Sequence, residues 1–248
     1  MLRAFNTATG ELFAVKRLLY NPDNTSQAEF VKQLEVEVSI LSRLRHPNIV
    51  QYLGSEVLQD SHCTYLEYLS GGSLAHLLSR FGPLPERVVK VYLKQVVLGL
   101  DYLHSNGVVH RDLKCANILV DGEGEVKLAD FGCAVKYEGS LQQSDLLTSL
   151  KGSILWMAPE VMRQSGYGRK ADIWSLGCCG VEMLTGKPPW PSFDDVLQAI
   201  MKIGLSNETP ALPRDVSAEG SDFLAVCLQR DPKVRPTASA LLKHPFFM

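Results

Sequence analysis

The chain has 248 residues, of which 46% are hydrophobic, and its 25 Lys and Arg residues stand against 27 acidic residues. This length and apolar fraction suffice for one large domain or two lobes, and they exclude a disordered chain. The formal charge of -2 gives no sign of a polyanionic partner, so we expect no nucleic-acid ligand.

The cysteines and the apolar runs indicate the cellular compartment in which we expect the protein. No cysteine pair shows CxxC spacing, and six cysteines are too sparse for a secreted disulfide scaffold. We therefore expect reduced thiols in a cytosolic or nuclear setting, of which we favour the cytoplasm. No apolar run approaches the roughly 18 residues of a spanning helix, and the N-terminus lacks the blocks of a signal peptide. The sequence thus predicts a soluble protein without a membrane partner.

A strand with a lysine on its apolar face is the first predicted element. Thr9 and Gly10 predict a hairpin turn, and the ten residues that follow alternate as a strand. The alternation places Lys16 on the same face as apolar side chains, those of Leu12, Ala14 and Leu18. Taken alone, such a lysine is better explained as a strand residue whose amine reaches solvent.

The helix predicted next carries an acidic residue on its apolar stripe. Residues 26–29 have the S-x-x-E form of a capping box, and apolar residues recur at helical steps, at Phe30, Leu34, Leu41 and Leu44. Glu37 lies on this stripe, where an unpaired charge is costly. We predict that Lys16 pairs with it. The alternative is that Glu37 faces solvent, as Glu35 does on the opposite side of the helix.

Two further strands complete a predicted small β lobe. The strand-like runs 49–58 and 63–69 flank a polar turn. The second run ends at residues 70–73 (SGGS), where the sequence changes abruptly from apolar to small residues. This change predicts a connection between a small lobe, residues 1–68, and a large lobe, residues 69–248. An ordinary strand-to-helix loop would show the same pattern.

The stretch 109–117 (VHRDLKCAN) combines residues suited to phosphoryl transfer. Asp112 can accept a proton from a hydroxyl, and Lys114 can face a transferred phosphate as a point charge. Asn117, five residues after Asp112, can help to hold Mg²⁺. This stretch therefore predicts a catalytic loop.

Asp130 is the second candidate metal ligand. A hairpin predicted over residues 118–128 would bring Asn117 and Asp130 together at its two ends. Taken alone, its neighbours Phe131 and Gly132 favour a turn aspartate at Asp130. Its position relative to Asp112 and Asn117 favours the metal site.

Three motifs in one order and spacing resemble the eukaryotic protein kinases. Asp130-Phe131-Gly132 follows the catalytic loop by thirteen residues, and Ala158-Pro159-Glu160 follows about thirty residues later. Residues 109–121 and 151–161 resemble the serine/threonine kinases of the MAP kinase kinase kinase family. The resemblance implies an α+β, two-lobed fold: a small antiparallel β lobe with a helix C, and a mainly helical large lobe. It also implies ATP and Mg²⁺ as cofactors and a MAP kinase kinase as protein substrate.

The resemblance assigns roles to single residues. Lys16 and Glu37 match the lysine and helix C glutamate that orient the ATP phosphates, and they join Asp112 and Lys114 as the implied catalytic residues. The implied nucleotide contacts are Ala14, Leu66 as gatekeeper, the backbone of Glu67 and Leu69, Ser73 near the ribose, and Leu119.

Regulatory and structural roles follow from the same resemblance. The polar segment 133–153 matches an activation loop, in which a phosphate on Thr148 or Ser149 would bind Arg111. A solvated loop without regulatory phosphate is the alternative. The implied structural residues are Ser153, which would bond the catalytic Asp and Lys, Asp172, which would hold the catalytic-loop backbone, and the pair of Glu160 with Arg235.

The sequence departs from the kinase pattern at its start. None of the 19 glycines follows G-x-G-x-x-G, and Met1 falls where the second kinase strand should already have begun. We therefore expect residues 1–248 to form a kinase domain that lacks its first strand and Gly-rich loop. Two functions remain open: a serine/threonine protein kinase, or a pseudokinase or scaffold-type binding protein that transfers phosphate poorly.

Overall fold

A computed structural model of the chain describes residues 1–19, 28–59, 61–136, 154–166, 168–190, 193 and 195–248, with the backbone alone for residues 28–33 and 136. Several residues that the sequence singles out lie outside these ranges. They are Ser26 and the residues Thr148, Ser149 and Ser153 of the segment expected to be an activation loop.

A four-stranded antiparallel sheet forms the N-terminal part of the described chain, in the order β1-β2-β4-β3. Its strands are β1 (Leu2–Phe5), β2 (Leu12–Leu19), β3 (Tyr52–Val57) and β4 (Ser61–Glu67). The predicted hairpin at Thr9 and Gly10 joins β1 to β2. The Asn6 side chain caps this turn by accepting hydrogen bonds from the Ala8 and Thr9 N–H groups.

Helix α1 (Ala28–Leu41) carries the apolar stripe that the sequence predicts, with Leu34, Glu37 and Leu41 buried. The register of β2 against β4 places Ala14 opposite Leu66 and Lys16 opposite Thr64. Because opposite residues of an antiparallel pair share a face, Lys16 and the residue predicted as gatekeeper project to one side of the sheet.

The rest of the described chain is mainly helical. Its helices are α2 (Leu74–Phe81), α3 (Glu86–Ser105), α4 (Pro159–Met162), α5 (Arg169–Thr185), α6 (Val196–Ala199), α7 (Ala218–Cys227) and α8 (Ala238–Leu241). A π-helical segment, Ile200–Leu205, continues α6. Helix α5 is buried at every residue from 171 to 183, as expected of a helix that is apolar on all sides. No helix of the described residues is long and apolar enough to cross a membrane.

The final helix is shorter than the sequence indicates. The sequence predicts a helix over residues 237–243, but α8 ends at Leu241 and Thr237 is its N-cap, accepting a hydrogen bond from the Ala240 N–H. The last turn tightens, with the Lys243 N–H donating to the Ala240 carbonyl. Pro245 explains this end, because proline disfavours the helical conformation of the residue before it.

Short strands lie between the sheet and the helices. The predicted hairpin is present as β7 (Ile118–Val120) and β8 (Val126–Leu128), and β5 (Gly72–Ser73) pairs with β7. A second small ladder joins β6 (Val108–Val109) to β9 (Val135–Lys136). The close approach requires glycine at position 71, because a Cβ there would lie 2.7 Å from the Val120 carbonyl oxygen.

The segment after α1 is hydrogen-bonded to β8. The Val50 N–H donates to the Leu128 carbonyl and the Leu128 N–H to the Asn48 carbonyl, each at 2.9 Å. The Asn48 side-chain amide also donates to the Val126 carbonyl at 2.9 Å. These bonds fix the segment that leads into β3 against the strand that leads to Asp130.

Candidate active site

A cavity of about 350 Å³ lies between the four-stranded sheet and the β7–β8 hairpin. This volume is within the range of small-molecule sites. Ala14, Leu66 and Leu119 provide apolar lining, and Lys16 and Asp130 add charge. The cavity therefore suits a ligand with a flat apolar part and an anionic end.

Lys16 lies between two carboxylates. Its Nζ is 2.8 Å from Glu37 Oε1 and 3.0 Å from Asp130 Oδ1, so the ion pair predicted from the sequence is present. Burial acts to lower the pKa of Lys16, but the charges of Asp130 and Glu37 outweigh it and raise the pKa above its ordinary value. The lysine therefore keeps its positive charge inside the cavity, where an anionic ligand would meet it.

Asp130 is held in an uncommon backbone conformation. Its φ is 60°, in the left-handed region that residues other than glycine seldom adopt. Burial acts to raise the pKa of its carboxyl, but the Lys16 ammonium outweighs burial and lowers the pKa below its ordinary value. The carboxylate stays ionised and available to a cation.

The catalytic loop forms a small hydrogen-bonded unit. Lys114 Nζ lies 2.9 and 3.2 Å from the two carboxylate oxygens of Asp112. The Asn117 side-chain nitrogen donates to Asp112 Oδ2 and to the Asp112 carbonyl, both at 2.8 Å. These bonds use the Asn117 amide nitrogen and leave its oxygen as the side-chain atom able to bind a cation.

Asn117 and Asp130 are brought together by the backbone. The Ala129 N–H donates to the Asn117 carbonyl at 2.9 Å, one residue before Asp130. An amide oxygen and a carboxylate are the oxygen donors that Mg²⁺ prefers. The residues present therefore fit a Mg²⁺ site of the predicted composition.

Asp172 anchors the backbone that leads into the catalytic loop. Its Oδ2 accepts from the His110 N–H at 3.0 Å and contacts His104 Nε2 at 2.9 Å, and its Oδ1 accepts from the Arg111 N–H at 3.0 Å. Arg111 has a φ of 68°, so the hydrogen bonds of Asp172 stabilise a residue in the left-handed backbone conformation. Burial acts to raise the pKa of Asp172, but hydrogen bonding and charge from His104 outweigh it and lower the pKa.

Glu160 and Arg235 form an ion pair and are not among the residues that line the cavity. The two guanidinium nitrogens lie 2.7 and 3.0 Å from the two carboxylate oxygens, a bidentate pair in which the arginine side chain is fully buried. The guanidinium also lies over the Trp174 ring, 5.4 Å from its centroid. This pair connects α4 to the C-terminal part of the chain.

The residues expected to bind a nucleotide divide into two groups. Those that line the cavity are Ala14, Leu66, Glu67, Leu69 and Leu119. Ser73 is not among the lining residues, because it is the N-cap of α2 and its Oγ accepts from the His76 N–H at 3.2 Å. A ribose contact for Ser73 stays a prediction.

Only part of the Glu67 backbone is available to a ligand. Its N–H donates to the Gln51 carbonyl at 3.0 Å, so the carbonyl is the backbone group able to bind an adenine ring. The Glu67 side chain bonds Lys127 Nζ at 2.7 Å. This ion pair ties the connection between the lobes to β8.

Sequence reasoning missed His104 and Lys127. His104 follows Leu100 by four residues on the apolar stripe of α3, so it had to be buried, and a buried histidine needs a polar partner such as Asp172. Lys127 gave no comparable signal, because alternation along a three-residue strand does not identify the partner of an outward-facing lysine.

The model of the protein kinase domain family matches residues 1–247 of the chain. The chain belongs to this family. Protein kinases use ATP and commonly two Mg²⁺ ions held by an aspartate and an asparagine. The family thus agrees with the α+β architecture and with the placement of Lys16, Glu37, Asp130 and Asn117 in the cavity wall, where Asn117 bonds Asp112.

The chain is also similar to MAP kinase kinase kinases, as its motifs indicated. It is 46% identical over 245 residues to mitogen-activated protein kinase kinase kinase A of Dictyostelium discoideum. It is 49% identical over 243 residues to mitogen-activated protein kinase kinase kinase 3, and 50% identical over 243 residues to the kinase YODA, both of Arabidopsis thaliana. Each alignment covers 98% of this chain, which spans 26%, 39% and 27% of the three relatives in that order.

Proposed function

We propose that this chain is a serine/threonine protein kinase that transfers the γ-phosphoryl group of ATP to a MAP kinase kinase, with Mg²⁺ as cofactor. The observation that carries the proposal is the contact of Lys16 with both Glu37 and Asp130, at 2.8 and 3.0 Å, on the wall of the cavity. A protein that only binds a partner has no need of a half-buried cation between two carboxylates, since desolvating charged groups is costly.

Each residue of the site has a task in this reaction. Asp112 accepts the proton of the substrate hydroxyl, and Lys114, bonded to it, places a positive charge beside the group in transfer. Lys16, oriented by Glu37, binds phosphate oxygens. Asn117 and Asp130 hold the cation. When bound, ATP and Mg²⁺ supply the transferable phosphoryl group and the charge that neutralises its oxygens.

The substrate and the location of the protein rest on similarity and on the cysteines. The names of the relatives designate kinases that act on MAP kinase kinases, and identities of 46 to 50% support the same substrate class for this chain. All six cysteines are free thiols in the described residues, which supports a reducing compartment, and we propose the cytoplasm.

A phosphate-transfer assay tests the proposal. The purified chain is incubated with radiolabelled ATP, Mg²⁺ and a MAP kinase kinase whose own catalytic aspartate has been replaced. We expect label on serine or threonine of the substrate, and loss of the label with EDTA or with Asp130→Asn. The exposed Asp215 provides the matched control, since Asp215→Asn should retain activity. Binding of nucleotide and substrate without transfer would instead identify a pseudokinase.

A further inference from the structure

Three buried metal-ligating side chains lie together outside the proposed active site. The Sγ atoms of Cys115 and Cys179 and a carboxylate oxygen of Glu182 all lie within 4.8 Å of one another. None of the three has a role in the reaction proposed above. They are the one such group of three or more among the residues that the structure describes.

The fold brings these residues together from two elements. Cys179 and Glu182 are three residues apart on α5, a spacing that places two side chains on one face of a helix. Cys115 begins the 3₁₀ turn Cys115–Asn117, and its Sγ lies 3.8 Å from the Cys179 carbonyl oxygen. Because Cys115 directly follows Lys114, the cluster joins the catalytic loop to α5.

The cluster holds its donor atoms away from solvent. Cys115 and Cys179 are fully buried and Glu182 is 8% exposed. Burial raises the pKa of both thiols and of the Glu182 carboxyl. Glu182 Oε2 accepts from the Trp156 indole N–H at 2.8 Å, which fixes the orientation of the carboxylate. An outer hydrogen bond of this kind commonly orients the ligands of a metal.

The separations suit a tetrahedral ion. With Zn–S bonds of about 2.3 Å and Zn–O bonds of about 2.0 Å, a tetrahedral centre requires about 3.8 Å between two sulfurs and about 3.6 Å between sulfur and oxygen. Atoms that already lie within 4.8 Å of one another reach these values through shifts of about 1 Å or less. Two sulfurs and one oxygen favour a soft or borderline cation, whereas Mg²⁺ prefers oxygen donors.

We propose that Cys115, Cys179 and Glu182 form a binding site for Zn²⁺ or a cation of the same class. On binding, each thiol gives up its proton, so that one Zn²⁺ enters as two protons leave and two Zn–S bonds and one Zn–O bond form. The ion would join the catalytic loop to α5, the helix that also holds this loop through Asp172. Binding would thus stabilise the folded chain.

Cobalt provides the direct test, because Co²⁺ replaces Zn²⁺ at thiolate sites and gives a thiolate-to-cobalt charge-transfer band in the near ultraviolet. The purified, metal-free 248-residue chain is titrated with CoCl₂. We expect one equivalent to produce the band and one equivalent of ZnCl₂ to abolish it. Cys115→Ser and Cys179→Ser should each remove the band.

The neighbouring cysteines supply matched controls. Cys178 is also buried on α5 but lies outside the cluster, and Cys133 is a partly exposed thiol outside the cluster. Cys178→Ser and Cys133→Ser should both keep the full cobalt band. A band that survives in Cys115→Ser, or that disappears in Cys133→Ser, would assign the cobalt to another site and overturn the proposal.

A measurement on the unaltered chain covers the case in which a cluster variant does not fold. Zn²⁺ at about 100 times its dissociation constant should raise Tm by about 5 to 10 °C relative to EDTA, and Mg²⁺ should not reproduce the rise. The rise should persist in Cys178→Ser. Absence of the band and of the Tm shift in the unaltered chain refutes the proposal, and neither readout depends on kinase activity.

Discussion

The carboxylate of Asp112 receives hydrogen bonds from Lys114 and Asn117, which fix it in the catalytic loop without placing it among the residues that line the cavity. Asp112→Asn should therefore lower kcat by roughly 10² to 10⁴ while leaving ADP affinity within a factor of about two. Single-turnover kinetics and a fluorescent-nucleotide titration measure the two quantities. Near-normal turnover in Asp112→Asn, with Asp215→Asn as the surface control, would disprove a role as general base.

Glu37 orients Lys16 from the buried face of α1. In Glu37→Gln the lysine keeps Asp130 as a partner but loses one charge-assisted hydrogen bond, a contribution of about 1.5 to 3 kcal/mol. We expect kcat/KM to fall roughly 10- to 100-fold and Tm to change little. Glu35→Gln is the matched control, since Glu35 is exposed on the same helix. Equal losses of kcat/KM in Glu37→Gln and Glu35→Gln would show that Glu37 acts only through the net charge of the protein.

Asp172 makes the stability of the fold depend on acidity. Its folded pKa lies below the ordinary value, despite burial, because His104 and the His110 N–H stabilise the carboxylate. At acidic pH the unfolded chain therefore binds more protons at this residue than the folded chain does. The contribution of Asp172 to the free energy of unfolding is complete above about pH 4 and declines as the pH falls through the folded pKa. Between about pH 7 and pH 3, the urea midpoint of unfolding should fall less in Asp172→Asn than in the unaltered chain.

A second variant separates this effect from general acid unfolding. His104→Gln removes the imidazole contact of Asp172. The fall of its urea midpoint with acid should lie between that of the unaltered chain and that of Asp172→Asn. If both variants kept the slope of the unaltered chain, Asp172 would not be the source of the dependence.

The residues that the sequence predicts for the site share one property: they are recognised by their spacing along the chain. Asp112, Asn117 and Asp130 lie in short motifs, and Glu37 could be recognised because a helical stripe buried it. Contacts between distant segments gave no such signal. The pairing of Lys127 with Glu67 spans 60 residues, and the Cys115 cluster depends on how a loop packs against α5. Such contacts are determined by packing, which local periodicity does not encode.

Among the elements, α4 depends on one buried ion pair. Arg235 has no exposed side-chain surface, so Arg235→Met would leave the Glu160 carboxylate buried without its bidentate partner. Breaking a buried pair in this way costs about 3 to 5 kcal/mol. We expect a loss of this size in the free energy of unfolding, measured by urea denaturation.

A surface pair gives the comparison. Lys202 and Glu208 are ion-paired but substantially exposed, and Lys202→Met should cost less than about 1 kcal/mol. Should Arg235→Met cost no more than Lys202→Met, the anchoring role of the buried pair would be excluded. The double replacement Glu160→Met with Arg235→Met should be less destabilised than the single variants imply, because no unpaired charge remains.

Element boundaries show where sequence patterns lose information. The apolar residues between positions 85 and 104 recur at helical steps and predict a helix there, and α3 spans Glu86–Ser105 because this long stripe fixes its extent. Helix α8 is only four residues long, although the pattern allowed seven. A short stripe cannot distinguish a regular last turn from one tightened ahead of Pro245.

At the scale of the whole molecule, we propose that phosphate on Thr148 or Ser149 regulates the kinase through Arg111. Both residues lie outside the described part of the chain, whereas the Arg111 backbone is held by Asp172. A group of about -1.5 to -2 charges can order a loop by pairing with an arginine. The double variant Thr148→Ala/Ser149→Ala should lower the transfer rate, and phosphatase should lower that of the unaltered chain.

Another hydroxyl of the same segment is the control for this prediction. Ser140→Ala should leave the rate unchanged. If neither phosphatase nor the double replacement alters the rate, phosphorylation of this segment does not control activity.

The segment that follows α1 acts as a pivot. The Arg45 N–H donates to the Tyr102 hydroxyl, and residues 48–50 are bonded to β8, so the C-terminal end of α1 is attached to the large lobe. At a rise of about 1.5 Å per residue, Glu37 lies about 6 Å from that end and Ala28 about 20 Å from it. A tilt of about 10° would move Glu37 by about 1 Å, enough to break its 2.8 Å contact with Lys16, and would move Ala28 by about 3.4 Å. A partner bound to the N-terminal end of α1 would therefore act at more than three times the distance from the pivot at which the Lys16–Glu37 ion pair lies.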